Sequence, residues 1–248
     1  MTKGPQGTTT KPATGTERKT ALVAGVLYLV TFISSIPAVF LLGPVLNDPN
    51  YVIGAGADAQ VRFGAALDLV NAFACIGTAV ALFSVVKRQH EGFALGFVTT
   101  RMFEAAVIVI GVVSLLGVVT LRQAGVSGTD AASLVAVGRA LVAVRDWTFL
   151  LGPSLMPAFN AALLGYLMYS SRLVPRAIPV LGLIGAPLLL SSTVGTMLGI
   201  NDPVSLWTGI ATLPIFLWEL SLGLWLAIKG FDRSSPILGA PPADAQGY

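Results

Sequence analysis

The sequence predicts an all-α integral membrane protein, a six-transmembrane-helix bundle with both termini cytoplasmic. Three observations carry this. Only 11% of the 248 residues are charged and 54% are hydrophobic, whereas a soluble domain carries about a quarter charged residues. The mean hydropathy is +0.80, an apolar surplus larger than one globular core can hide. The apolar residues fall in six continuous stretches, at 21–46, 62–86, 92–121, 147–170, 176–200 and 205–229. Each is near the ~20 residues that a helix needs to cross ~30 Å of hydrocarbon. Backbone groups cannot go unpaired in lipid, and the runs do not alternate, so these are helices and not barrel strands. Soluble enzymes, nucleic-acid binders and disulfide-stapled secreted domains are excluded by this composition.

The chain divides into a tail at 1–18, a membrane domain at 19–231 and a second tail at 232–248. The leading tail is rich in Thr, Gly, Pro and Lys, and such a segment cannot bury enough surface to order itself. The first span, Ala21 to Leu46, is too long for the apolar part of a signal peptide, and no convincing cleavage site ends it. Pro37, Pro153, Pro157, Pro187 and Pro214 fall inside spans; such kinks are tolerated where neighbours satisfy the freed carbonyls. The longest loop runs from Arg122 to Asp146. In it, Ser127-Gly128-Thr129-Asp130 reads as a cap before Ala131 to Arg145, with Leu134, Val137, Leu141 and Val144 at helical spacing. That predicts a short amphipathic helix on the outer surface, either a connector or a lid over an outward-opening cavity.

Two outer loops begin alike, Asn47-Asp48-Pro49 and Asn201-Asp202-Pro203. A shared stop signal explains this, since Asn and Asp end helices readily and Pro prevents continuation. An internal repeat is the alternative. In the fifth span Ser192, Thr196 and Gly199 follow one face, and Gly195 with Gly199 makes a GxxxG spacing. Such a face permits close helix packing, within the bundle or in a homodimer.

Loop charge sets the orientation. With the N-terminus inside, the inner side holds Lys3, Lys11, Arg18, Lys19, Lys87, Arg88, Arg172, Arg176, Lys229 and Arg233. The outer side holds Arg62, Arg122, Arg139 and Arg145. That excess favours both termini in the cytoplasm of a multi-pass protein of the cell membrane. Trp147 and Trp207 then sit at the outer interface and Trp225 near the inner one.

Six polar residues do not belong in lipid: Asp68, Asn71, Arg101, Glu104, Asn160 and Glu219. Ionisable groups at bilayer depth are costly, so they face the bundle interior and mark function. At ~1.5 Å rise per residue, Arg101, Glu104, Asn160 and Glu219 all fall about 12–18 Å from the inner boundary, on three helices. Asp68 and Asn71 share a face at i and i+3, one or two turns nearer the outside, and Cys75 and Thr78 continue it inward. Arg101 and Glu104 are side by side by the same spacing, with Glu219 a competing or second acceptor. Three carboxylates against one guanidinium leave an uncompensated buried charge. Arg62 or Arg145 reaches in from the rim, or a cation binds, or one carboxyl stays protonated. An Arg–Glu–Glu cluster that merely ties three helices together is the plainer reading of the same residues.

Other chemistries are missing. The lone Cys75 and lone His90 give neither a disulfide framework nor a haem or zinc ligand set, and no cofactor or metal is expected. His90 reads as a solvated residue of the short inner loop Lys87 to Glu91. No phosphate loop or HExxH motif is present, and Gly152-Pro153-Ser154 lacks the second glycine of a nucleophile elbow.

Several pieces in order resemble the bacterial family catalogued as domain of unknown function 4386, over about residues 18 to 231. The most specific is the end of the last span: Pro214, Trp218-Glu219, Gly223, Trp225-Leu226 and Lys229-Gly230-Phe231. Gly25, Tyr28, Asp48-Pro49, Arg101 with Glu104-Ala105, and Leu173-Val174-Pro175-Arg176 also match. The resemblance implies a six- or seven-helix integral membrane protein and no established activity.

The functional expectation is a polar intramembrane cavity for a small lipophilic molecule. Arg101, Glu104, Glu219 and Asn160 would form its floor, and Asp68 and Asn71 its wall. As an enzyme it would be an acid-catalysed cyclase or isomerase of an isoprenoid-like substrate, with Glu104, Glu219 and Asp68 as the proton donor and acceptor set and Trp218 stabilising a carbocation. As a proton-coupled transporter the carboxylates would exchange protons; as a structural protein they would lock helices. The lipid bilayer is the expected partner, and nucleic acid is not.

Overall fold

The computed structural model describes residues 15–125 and 130–238. Residues 1–14 and 239–248 of the expected tails, and Ser127, Gly128 and Thr129 of the expected cap, lie outside them. Seven α-helices follow in order: α1 Gly15–Asn47, α2 Asp58–Val86, α3 Glu91–Ala124, α4 Ala131–Phe149, α5 Met156–Ser171, α6 Ala177–Met197 and α7 Leu206–Ile228. There is no strand among the described residues. Five of the helices, α1, α2, α3, α6 and α7, are long and apolar enough to cross a membrane. With that composition the protein is a multi-pass membrane protein.

Contacts between neighbouring helices close a ring in the order α1, α2, α3, α5, α6, α7 and back to α1. The two described chain ends meet on one face. Arg18 donates to the carbonyls of Leu226, Ala227 and Ile228 at 2.9–3.1 Å. These belong to the last turn of α7, where helix carbonyls lack internal partners and a cation is favoured. Below this ring end lies an apolar core built from Tyr28, Leu82, Phe97, Leu164, Met168 and Leu222 with their neighbours. A second apolar cluster, around Leu42, Tyr51, Val61, Leu115 and Leu134, seals the opposite end between α1, α2, α3 and α4.

Three expectations are corrected. The segment from Ala131 is not a separate surface helix. It runs through a π-helical turn, Leu150–Ser154, almost directly into α5. Pro153 lies in that turn; a proline removes one backbone donor, and a wider turn absorbs the misfit. α4 lies against the C-terminal half of α3, where the Ser114 hydroxyl donates to the Leu141 carbonyl. Asp130, the described part of the expected cap, makes no side-chain capping bond.

The Gly195–Gly199 pair is not a helix face. α6 ends at Met197, and Gly199 takes a left-handed φ of 70° that closes the helix, with Ile200 N–H on the Gly195 carbonyl at 2.9 Å. The close approaches are made elsewhere. A Cβ on Gly25 of α1 would stand 2.4 Å from the Ala227 nitrogen of α7, and one on Gly182 of α6 would stand 2.8 Å from the Trp218 ring.

The tails are shorter than the composition suggests. Helix α1 begins at Gly15, and after α7 the chain folds back, with Asp232 N–H on the Leu173 carbonyl at 2.7 Å and Ser235 and Ile237 buried. Gly230, at φ 80°, permits that reversal.

Candidate functional site

The ring brings Arg101, Glu104, Glu219 and Asn160 together. Arg101 and Glu104 are one helical turn apart on α3, so both point to the interior from the same face. The Arg101 guanidinium donates to Glu104 at 3.2 Å through Nη1 and to Glu219 of α7 at 2.6 Å through Nη2. Asn160 of α5 donates to the same Glu104 oxygen at 2.8 Å and accepts from the Thr100 hydroxyl. The remaining surroundings of Arg101 are soft: the Cys75 sulfur at 3.6 Å and the Tyr28 ring, whose centroid is 5.2 Å from Cζ. Its Nε is buried with no partner among the described residues. Three helices are therefore tied at one level, as the residue count along each span predicts.

Asp68 and Asn71 do not join this cluster. Asp68 pairs with Arg145 of α4 at 3.2 Å, with both side chains about 10% exposed. Of the two arginines that the sequence offered, Arg145 is the one that reaches in. Arg62 stays at the rim and donates to Gln123. Gly111 of α3 makes the space: a Cβ there would stand 2.7 Å from the Thr148 hydroxyl and 2.9 Å from Arg145 Cδ. Arg145 also stacks on Phe149, with Cζ 4.8 Å from the ring centroid. The sequence offered Arg145 beside Arg62 as an arginine reaching in, but not its pairing with Asp68, because Arg145 also reads as the end of a surface helix. The π-helical turn that follows it is what carries its helix down into the bundle.

Between α1, α6, α7 and the π-helical turn lies a cavity of about 860 Å³. Most of its wall is apolar, with Phe32, Val39, Leu150, Leu189, Ile215 and Phe216 among the residues that face it. Asp68, Asn71 and Arg145 are its buried polar groups, Glu219 is half-buried, and Asp146 and Asp202 are exposed residues of its lining. Here the expectation of a floor made by four residues is corrected. Glu219 lines the cavity; Arg101, Glu104 and Asn160 do not, and each is at most 4% exposed. Their interactions with one another hold them behind Glu219. Trp218 is 1% exposed and packed on Gly182, so its ring also faces away from the cavity.

Small polar residues on α6 and α7 complete the wall. Asn201 donates to Ser192 at 3.1 Å and to Thr208 at 2.9 Å, and Thr193 donates to the Ser154 carbonyl of the π-helical turn at 3.2 Å. The two Asn-Asp-Pro loops do different work. Asn201 fastens α6 to α7, whereas Asp48 only accepts from the Asn50 N–H. Beyond them Arg122 and Gln123 clamp Asp58, which also accepts from Tyr51 at 2.9 Å. Burial, and then the bond to the Asp58 carboxylate, push the Tyr51 hydroxyl up to about 12. His90 is an exposed cap: its Nδ1 accepts from Phe93 N–H at 3.3 Å.

A ring of apolar helices with ion pairs turned to its interior defines a multi-pass membrane protein that keeps charge away from lipid. The chain belongs to the family described as domain of unknown function (DUF4386), whose model matches residues 23–230. No curated protein and no solved structure matches it. The match spans every residue of the two ion-pair clusters.

Proposed function

We propose that this protein binds a small, mostly lipophilic molecule in the cavity between α1, α6, α7 and the π-helical turn. The bundle crosses the cell membrane six times, with α4, the turn and α5 together making the fourth crossing and both termini in the cytoplasm. The excess of Lys and Arg on the termini side supports that orientation. Apolar walls with a few convergent polar groups are the usual form of a small-molecule site.

The observation that carries the reading is Glu219. One carboxylate oxygen is held at 2.6 Å by Arg101; the other accepts no hydrogen bond among the described residues, on a residue that lines the cavity. A bound molecule completes that group. The test is mass spectrometry of small molecules that co-purify with the protein, wild type beside Glu219→Gln and Thr212→Trp. Thr212 lines the cavity without touching the Arg101 cluster. A defined compound in wild type that is lost from folded Thr212→Trp supports the cavity. The same compounds in all three proteins refute it.

A second reading follows from the charge count. Arg101 and Arg145 face three buried or nearly buried carboxylates, Asp68, Glu104 and Glu219, so one negative charge is in surplus. A proton shared between Glu104 and Glu219 removes it, and a carboxyl so placed serves an acid-catalysed cyclase or isomerase, or a proton-coupled carrier. In either case Glu219, which lines the cavity, is the group that meets substrate, and Glu104 acts through it.

A further inference from the structure

Charge along the cavity wall goes further than its shape. The ionisable residues lining it are Asp68, Asp146, Asp202 and Glu219 against Arg145 alone. Arg145 is matched by Asp68. Behind the wall Arg101 is shared by Glu219 at 2.6 Å and Glu104 at 3.2 Å, so that one guanidinium leaves one negative charge of the two carboxylates uncancelled. The surplus is made up of the half-buried Glu219 and the exposed Asp146 and Asp202. Low-dielectric walls strengthen the field of such charges inside a cleft.

Three further observations point to what is attracted. Four aromatic side chains, Phe32, Trp147, Phe149 and Phe216, face the same cavity, and ring faces attract cations. Phe216 stands one helical turn from Glu219 and meets Phe32 edge to face at 5.2 Å, so ring and carboxylate share one wall. Asn71 is 8% exposed and lines the cavity. Its amide oxygen has only the Cys75 thiol, at 3.9 Å, and its NH2 group has no partner among the described residues, which leaves the amide of a buried residue beside the guest, with an oxygen able to accept from an ammonium N–H. Among the described residues no three His, Cys, Asp or Glu side chains are placed to hold a metal ion.

We propose that the molecule taken up by the cavity is a lipophilic organic cation, a protonated amine or quaternary ammonium. Its charge lies against the open oxygen of Glu219 and the Phe216 ring, and its apolar body fills the space towards Phe149 and Trp147. This inference rests on the cavity being a binding site at all, and its test separates the two.

The probes are tetraphenylphosphonium and tetraphenylborate, ions of the same shape and opposite charge, with neutral tetraphenylmethane as the third. Binding to the full chain in nanodiscs is read by equilibrium dialysis against empty nanodiscs. Saturable binding of tetraphenylphosphonium alone is expected. Glu219→Gln should weaken it about tenfold or more, as loss of a charge-assisted contact does, and Thr212→Trp should abolish it in a protein that still elutes as a folded species. Phe216→Leu leaves the ion pairs intact and should weaken it several-fold. If the anion or the neutral probe binds as well and Thr212→Trp blocks it, the cavity stands and the cation assignment falls. If no probe binds saturably, or Thr212→Trp binds as wild type does, both fall.

Discussion

Arg101 has one positive charge and two carboxylates to hold, and it is 2% exposed. Removing it strands Glu104 and Glu219 in low dielectric with only Asn160 and the cavity for company. Arg101→Met is expected to lower stability by about 3–5 kcal/mol, the range for breaking a buried pair. Glu104→Gln keeps an acceptor for Asn160 and for Arg101 while removing the surplus charge, so it should cost far less. Thermal unfolding in one detergent ranks the two, and equal losses would refute the charge argument. Asp68→Asn strands Arg145 and should cost about 1–3 kcal/mol. Because the two side chains are in contact, adding Arg145→Gln should return part of that loss; strictly additive losses would show that the pair contributes nothing as a pair. The members of the first cluster were legible in the sequence because four charged or amide residues at one depth stand out against lipid. Which of them faces the cavity was not, since that depends on side-chain direction and on what packs behind.

At the scale of the helix, small residues decide how near two backbones come. Gly25 sits where a Cβ would meet the backbone of α7 at Ala227, and Gly185 where it would meet Ile215 at 2.8 Å. Backbone cannot swing aside as a side chain can, so Gly25→Ala is expected to cost about 1–3 kcal/mol or more. Gly209, in the interior of α7, has nothing within 4 Å of an added Cβ. Gly209→Ala should be neutral or stabilise by up to about 1 kcal/mol, from backbone entropy alone. Unfolding of the two variants side by side checks both signs. The GxxxG spacing at Gly195 and Gly199 shows why spacing alone misled: one of its glycines lies past the helix end, where its use is a positive φ and not close packing. The continuous run from α4 to α5 was hidden for a related reason. The polar face of Ala131 to Arg145 reads as a surface helix apart from the span at 147–170, but α4 runs unbroken across that boundary and a π-helical turn carries the chain on into α5.

For the molecule as a whole, the ring closes where Arg18 caps α7, so the described chain ends lie on one face. The proposed orientation puts that face in the cytoplasm. Cys75 is the chain's lone cysteine and is buried, so single-cysteine reporters meet little background. Val204, 97% exposed in the loop between α6 and α7, and Gln89, between α2 and α3, mark opposite faces. A membrane-impermeant maleimide added to intact cells should label Val204→Cys, and label Gln89→Cys only after permeabilisation. The reverse pattern would invert the topology and with it the side from which the cavity is reached.

Composition by itself determined that this is a helical membrane protein. A chain with so few charges has no other solvent, and lipid forces its backbone to bond within each segment. The sequence also determined which residues are out of place, because a carboxylate at bilayer depth needs no structure to be conspicuous. The tertiary structure decided how those charges are shared: Arg101 between Glu104 and Glu219, Arg145 with Asp68, and Glu219 alone of the first cluster turned to the cavity. Pairing and cavity both depend on which helix lies beside which, and on a π-helical turn that lowers Arg145 into the bundle. Helices of similar hydropathy leave that choice to the packing of their small and large side chains.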